Sequence, residues 1–368
     1  MSYDYLVVGA GLFGSIFAYE ANQIGKKVLV IDKRTHIGGN CYTEPYEDYH
    51  LHKYGPHIFH TSKKYIWDYI NQFTDFLNYS HRVKAYSNGK IFSLPINLLT
   101  LNQLWPDINT PEKAIAKIER EIISCDKPKN LEEHILSQVG KTIYEKLIYG
   151  YTKKHWGRDP KLLPASIIKR LPIRYTFDDN YYPDIDIYQG VPKDGYTAIF
   201  HKLLENIDVE LGVDFFEDRN YWECKANKIV YTGEIQKYFE NMFGTLDYRA
   251  LEFRDYQVNT DFQGCAQMNY ADESTPWNRI IQHRHFTKSK STKDFITYEY
   301  SKDYTGDNEP FYPINDEANN EIYEKYRSYS EKYSSNLIIG GRLGNYRYYD
   351  MDMTIANALS VCKKELAG

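Results

Sequence analysis

Residues 5–15 read YLVVGAGLFGS, and this stretch decides the fold. Before and through it, "YDYLVVG" (residues 3–9) is a short apolar run of strand type. Gly9, Gly11 and Gly14 follow in the order GxGxxG. "SIFAYEANQIG" (15–25) then carries Ile16, Ala18, Tyr19 and Ile24 at helical spacing, with Gly25 as the stop. "KKVLVID" (26–32) is a second strand, ending on Asp32, 18 residues past the third glycine. Three glycines alone arise by chance; a strand before, a helix after and an acid at the end of the next strand do not. Gly9 permits a tight turn, Gly11 lets backbone approach a pyrophosphate, and Gly14 allows close helix–strand packing. The helix, opening at Leu12 and Phe13, points its N-terminus at phosphate, and Asp32 accepts from a ribose hydroxyl, with Lys33 beside it. The pattern predicts a βαβ dinucleotide site.

NAD and FAD share that fingerprint, and "RTHIGGN" (34–40) discriminates. Gly38 and Gly39, followed by Asn40, bring a second loop close to a long ligand. A third approach comes at the far end of the chain. "GGRLGNYRYYDMD" (340–352) has Gly340 and Gly341 after the strand "NLII", then Arg342, and acids opening a helix near Met351. The combination resembles the FAD-binding pattern shared by amine oxidases and phytoene-type desaturases. The tail helix is expected to direct its positive end at the flavin pyrimidine ring.

Composition narrows the function classes. The 368 residues carry a net charge of −5, which excludes a sequence-independent grip on nucleic acid. Five scattered cysteines show no metal spacing and fit a reduced, cytoplasmic protein. No run approaches the roughly 20 apolar residues of a membrane span. No signal-peptide pattern opens the chain. No Ser/His/Asp, Cys/His, HxxxH or CxxC constellation stands out, so no metal site is expected.

The expected class is α/β: a Rossmann-like FAD-binding domain with a helical insertion and an antiparallel sheet domain. "NTPEKAIAKIEREII" has Thr110 as N-cap and Pro111 at the first helical position. "NLEEHILSQVGKTIYEKLIYGY" repeats apolar residues at helical spacing, and "PASIIKRLP" is a shorter helical candidate. "YRALEFRDYQV" and "DFITYEYS" alternate as strands do, and "VELGVDFF" and "NKIVYTG" are further strands. The expected boundaries are 1–79, 190–240 and 335–368 for the FAD-binding domain, 80–189 for the helical substrate-binding domain and 241–334 for the sheet domain. The tail strand is expected to rejoin the N-terminal sheet.

Several segments carry a narrower resemblance: "KYGPHIFHTSKKYIWDY", "GYTKKHWG", "LPASIIKRLPIR", "GVPKDGYTAIF" and "YRYYDMD". Taken in order over nearly the whole chain, they resemble the bacterial UDP-galactopyranose mutases. The resemblance implies an isomerase that interconverts UDP-galactopyranose and UDP-galactofuranose for cell-surface polysaccharide. It implies FAD, active only when reduced, with reduced flavin N5 as the nucleophile at the anomeric carbon. It also implies UDP-galactose as substrate, a flavin reductant such as NAD(P)H or a reductase, and a homodimer.

A UDP-sugar needs a platform for uracil, cations for the diphosphate and a pocket for the sugar. Tyr151 and Trp156 in "GYTKKHWG" are stacking candidates, although helix-to-helix packing explains Trp156 equally well. Asn269 in "AQMNY" is an amide partner for the uracil edge. Arg170 and Arg279 match the family's diphosphate-binding arginines, whose forks hold phosphate bidentately; without the resemblance each reads as a surface arginine. Arg174 is a weaker neighbour of Arg170. Tyr181, Tyr312 and Tyr348 match tyrosines that contact the diphosphate, since a phenol donates without adding charge. Asp350 matches an acid at that site and also reads as a helix N-cap. The resemblance puts His57 and His60 near the isoalloxazine, with His57 tuning the flavin or positioning the sugar and His60 close to the sugar; two hydrogen-bonded turn histidines are the plainer account. Residues 157–164 are expected to move as a closing loop. Three alternatives stay open: an FAD-dependent amine oxidase or desaturase-type oxidoreductase, a non-enzymatic nucleotide-sugar binder, and a mutase acting on UDP-N-acetylgalactosamine.

Overall fold

The chain, seen as a computed structural model, is described over residues 2–167, 173–182 and 184–367. It divides into two compact units. The first comprises Met1–Asn78, Ile185–Tyr248 and Pro310–Gly368; the second comprises Tyr79–Asp184 and Arg249–Glu309.

The first unit is built on a five-stranded parallel sheet. Its order is Asp208–Leu211, Val28–Asp32, Tyr3–Val8, Ala226–Tyr231, Leu337–Ile339. The apolar runs of these strands are explained by burial on both faces. Val7, Val30 and Val230 face one side with Phe13, Ile16 and Phe17 of helix Leu12–Gln23 and Ile355, Ala358 and Cys362 of helix Met351–Leu366. Leu6, Leu29, Ile31 and Ile229 face the other side with Phe215, Trp222 and Tyr238. The strand at Leu337–Ile339 does join this sheet, parallel to Ala226–Tyr231. A separate three-stranded sheet sets Tyr188–Pro192 between Phe59–Thr61 and Phe76–Asn78.

The second unit pairs helices with a mixed sheet. Thr110 caps helix Pro111–Glu121 by accepting from Lys113 N, as the sequence predicts. Its apolar face, with Ala114 and Ile118, packs on Leu131, Ile135, Val139 and Ile143 of helix Leu131–Ile143. That helix bends at Gly140 and passes through a π-helical turn, Tyr144–Ile148, into helix Tyr149–Trp156. The sheet runs Tyr248–Val258, Asp294–Asp303, Arg279–Gln282, Gln267–Tyr270, Val83–Ser87, Lys90–Leu94.

Two expectations are corrected. The helical block and the antiparallel strands form one unit rather than two domains, because Val83–Ser87 lies parallel to Gln267–Tyr270 and completes the same sheet. Residues 310–334, expected with the sheet domain, belong to the first unit. Their helix Glu317–Tyr333 is fastened there by Tyr326, whose hydroxyl donates to Gly244 O at 2.7 Å, and by Asn319, whose Oδ1 accepts from Asp247 N at 2.9 Å. "VELGVDFF" is a strand only over Asp208–Leu211. Among the described residues, no helix is long and apolar enough to cross a membrane.

Candidate active site

In the first unit the glycine loops meet backbone to backbone. Gly38 N donates to Ala10 O at 2.9 Å, and a Cβ on Gly39 would lie 3.0 Å from Gly11 Cα. Gly11 is the N-cap of its helix, with extended backbone and no side-chain cap, so the first-turn N–H groups are presented without a capping oxygen. A Cβ on Gly11 itself would meet only Gly39 Cα, at an ordinary 3.8 Å. The polypeptide therefore does not need glycine there, whereas a pyrophosphate lying against the loop does. The loop thus leaves open the space that a dinucleotide pyrophosphate would occupy.

Asp32 has a task the sequence did not reveal. Its Oδ2 accepts from Ala10 N at 2.7 Å and its Oδ1 from Arg34 N at 2.9 Å, so it ties the first glycine loop to the second. Each carboxylate oxygen retains a second lone pair for a ribose hydroxyl. Asn40 accepts from Arg34 Nη2 at 3.0 Å, while Lys33 is exposed. The Phe13 ring belongs to the core and occupies the space a Cβ on Gly340 would need, 2.0 Å away, so any contact it makes with a phosphate would come from its backbone N–H. Leu12 is partly buried against the same core.

The tail loop gathers three expected residues. Tyr312 and Tyr348 stack at 5.1 Å and 17°, and the Arg342 guanidinium lies 5.4 and 5.5 Å from their ring centres. Arg342 also donates to Tyr349 O from Nη2 at 2.6 Å. Tyr348 is exposed and Tyr312 buried. Helix Met351–Leu366 begins where expected, with Asp350 in the N-cap position, but the Asp350 side chain accepts no capping bond. Burial raises its carboxyl above the usual range, opposed by His60 and Arg342 and reinforced by Asp352 and Asp186. His60 Nδ1 donates to Asp186 Oδ2 at 2.8 Å, and His57 Nδ1 donates to Gly55 O at 2.8 Å. Both carbonyl and carboxylate only accept, which fixes the proton on Nδ1 in each case.

In the second unit, Asn269, Arg279 and Glu299 form one row across three strands. Asn269 stands opposite Arg279, and Arg279 opposite Glu299, so all three side chains share a face. Arg279 donates from both Nε and Nη2 to Glu299 Oε2, at 2.7 Å each. Glu299 is fully buried, and its Oε1 has no hydrogen-bond partner among the described residues. Asn269 Oδ1 accepts from Gln267 Nε2 at 2.8 Å.

Helix Tyr149–Trp156 presents Tyr151 and Trp156 around His155. The Tyr151 ring is parallel to His155 at 6.0 Å, and Trp156 meets His155 edge-on at 5.3 Å. Trp156 also packs partly on the helical core, as the packing account of it expects. Tyr181 stands against His81 at 5.5 Å, with its N–H on His81 O at 2.8 Å. Arg174 secures that loop, donating to Tyr182 O at 2.6 Å and to Asn180 O, and pairing with Asp178 and Asp184. These contacts make it a clamp on the loop. Arg170 lies outside the described residues. The stretch expected to close is anchored: Leu163 is buried and its carbonyl accepts from Leu131 N at 2.9 Å.

Sequence reasoning missed Glu299, His155 and Lys154. Glu299 had a signal, an acid at an inward position of an alternating strand, which demands a buried cation. His155 is pushed down to about 3, by burial first and then by Arg279 and Arg249. Its ordinary value is 6.5, so between pH 6.5 and about 3 the unfolded chain binds a proton that the folded chain refuses. The stability due to neutral His155 is complete above pH 6.5 and is lost as pH falls through that window. His155→Gln removes the titration, and the loss of unfolding free energy from pH 7 to pH 4 is expected to shrink by about 3 kcal/mol. Equal slopes for variant and wild type in a pH series of denaturant melts would refute the assignment.

Comparison with known proteins agrees with this architecture. Residues 146–348 match the family model described as UDP-galactopyranose mutase, and residues 7–73 match an NAD(P)-binding Rossmann-like domain. The chain is 41% identical over 370 residues to a probable UDP-galactopyranose mutase of Klebsiella pneumoniae, covering 99% of this chain and 95% of that protein. It is 38% identical to a dTDP-fucopyranose mutase of Escherichia coli, covering 96% of each. A crystal structure of reduced UDP-galactopyranose mutase shares the fold, with a TM-score of 0.77 at 14% identity, over 100% of this chain and 96% of that one. Family model and full-length identity therefore place the chain in the UDP-galactopyranose mutase family.

Proposed function

We propose that this protein is a flavin-dependent isomerase that interconverts UDP-galactopyranose and UDP-galactofuranose. The observation that carries the reading is the row Asn269–Arg279–Glu299, which sets an amide and an oriented guanidinium side by side on one sheet face. An amide suits a uracil edge, and an arginine fork suits a diphosphate.

In this reading FAD is the dinucleotide. The helix opening at Leu12, the loops at Gly11 and Gly39, and Asp32 hold its pyrophosphate and ribose, with Gly341, Arg342 and Met351 at the other loop. Reduced FAD, when bound, supplies a nucleophilic nitrogen for the anomeric carbon of the sugar. The chain's own residues bind and stabilise. Arg279, with Arg170 as its partner, takes up the charge that develops on UDP as its bond to the sugar breaks, and keeps UDP in place for recapture. Tyr151 and Trp156 hold the uridine by stacking. Tyr181, Tyr312 and Tyr348 donate to phosphate oxygens. His60, held by Asp186, and His57, held by Gly55 O, present fixed tautomers to the sugar and the flavin. Asp350, raised by its burial, keeps its proton to higher pH than a solvated acid and adds less negative charge beside a reduced flavin. The proposal extends to a cytoplasmic homodimer reduced by NAD(P)H or a reductase; the family resemblance supports both.

The E. coli relative favours a second reading, a thymidine-linked 6-deoxy sugar as substrate. One experiment separates the readings. The purified protein is reduced with dithionite under nitrogen, incubated in turn with UDP-galactofuranose and dTDP-fucofuranose, and its products are resolved by anion-exchange chromatography. Conversion of the uridine substrate is expected. Exclusive turnover of the thymidine substrate favours the second reading, and peroxide release in air without isomerisation would mark an oxidase.

A further inference from the structure

We propose that Lys154 is a positioning residue: it locks helix Tyr149–Trp156 onto the segment that joins Asn269 to Arg279. The inference rests on the reading that those two residues, with Tyr151 and Trp156, hold the nucleotide.

Three main-chain carbonyls converge on the Lys154 ammonium. Nζ donates to Tyr270 O at 2.8 Å, Thr275 O at 3.0 Å and Trp277 O at 3.0 Å. An ammonium has three N–H donors, so its capacity is filled by this one segment. The acceptors bracket the turn: Tyr270 directly follows Asn269, and Trp277 lies two residues before Arg279. One lysine thus ties both ends of the turn to the helix.

The helix is held to the same unit at other points as well, among them Asn278 Nδ2 at 3.3 Å from His155 Nδ1. At Gly150 a Cβ would fall 2.1 Å from Ala271 O, so the helix backbone lies directly on the turn. At its last turn Arg249 Nε donates to His155 O at 2.9 Å, and Arg249 also pairs with Asp303. Lys154 supplies the contacts to the far side of the turn, at Thr275 and Trp277. The neighbouring lysine makes a different contact: Lys153 pairs with Glu273 at 2.7 Å in the open, an interaction worth little. The two adjacent lysines therefore form a natural control pair.

Titration gives an independent handle. Burial lowers the Lys154 ammonium to about 8, opposed by Asp272 and Glu273, which face it from the turn; Lys153 is the charged neighbour on its own helix. A neutral amine keeps only two donors for three carbonyls.

The test uses full-length, flavin-loaded protein and uridine diphosphate as the probe, with affinity read by calorimetry and flavin content by visible absorbance. Lys154→Met is expected to weaken UDP binding about tenfold to a hundredfold, as a misplacement near 1 Å does, and to raise KM more than it lowers kcat. Flavin content stays at the wild-type level. Lys153→Met stays within about twofold of wild type, the scale of an exposed ion pair. Lys154→Arg keeps a cation and recovers part of the affinity, and it abolishes the decline in UDP affinity that wild type shows as pH passes 8. Wild-type UDP affinity in Lys154→Met, or equal loss of flavin and UDP, overturns the proposal. Failure of the wild-type protein to bind UDP overturns the underlying reading instead.

Discussion

Replacing Arg279 with alanine is expected to lower kcat/KM for the uridine substrate by about a hundredfold to a thousandfold, the range for removing a donor that meets developing charge. The single variant also disturbs the fold, because Glu299 would be left as a fully buried carboxylate stripped of its Arg279 partner. Breaking such a pair costs about 3–5 kcal/mol. Stability and catalysis are separated by the double variant Arg279→Met with Glu299→Leu, which removes both charges, keeps similar volumes and leaves no buried polar group unpaired at either position. It is expected to melt close to wild type and still to lose the hundredfold or more in kcat/KM. Arg279→Lys retains charge but not the two-point grip of Nε and Nη2 on Oε2, and falls between. A double variant that turns over at the wild-type rate would remove Arg279 from the mechanism. It would also break the Asn269–Arg279–Glu299 row as the basis for the activity.

Gly11→Val is expected to give a folded, colourless protein. A Cβ at position 11 meets one neighbour, at 3.8 Å, and Gly11 φ is −80°, a conformation open to any residue. A Cβ there meets no clash, and the main cost to the polypeptide is the poorer N-cap preference of valine. The branched side chain would instead fill the ground in front of the uncapped helix N-terminus, where a pyrophosphate must lie. Circular dichroism and the melting temperature of the flavin-free form should match those of wild-type apoprotein, and absorbance near the flavin bands should vanish. Gly14 makes the contrasting control: a Cβ there would fall 2.0 Å from Gly9 O, so its replacement is expected to damage the fold itself. Full flavin occupancy in Gly11→Val would show that the cofactor does not pass this loop.

Local chemistry was readable from the chain, and long-range pairing was not. The strand–glycine–helix–strand–acid order at residues 3–32 can be satisfied in few ways, and the structure follows it. Thr110 with Pro111 announced a helix start through capping alone. The pairing of Val83–Ser87 with Gln267–Tyr270 joins strands about 180 residues apart in the chain, and no alternation pattern names its partner. Helix Glu317–Tyr333 escaped notice because its buried positions, Asn319, Tyr323, Tyr326 and Ser330, are polar or amphipathic and give a weak apolar stripe. The site shows the same division. Arg279 was identified by resemblance, but the acid that orients it stands 20 residues on, reached by strand register rather than by spacing. "GYTKKHWG" drew notice for Tyr151 and Trp156, whereas Lys154 and His155 between them face backbone carbonyls and buried arginine charge.

The parallel sheet of the first unit has a bearing on how the chain is made. Its strand at Ala226–Tyr231 receives its outer neighbour only from Leu337–Ile339, and one face of its core receives Ile355, Ala358 and Cys362 later still. As the polypeptide leaves the ribosome, every residue of the second unit has been synthesised before the first unit can close. Until then a nascent molecule exposes an open hydrogen-bonding rim and an uncovered apolar surface, the combination that recruits chaperones and seeds aggregation. Premature termination upstream of residue 337 would leave that rim permanently bare, so truncated products are destined for proteolysis rather than for partial function.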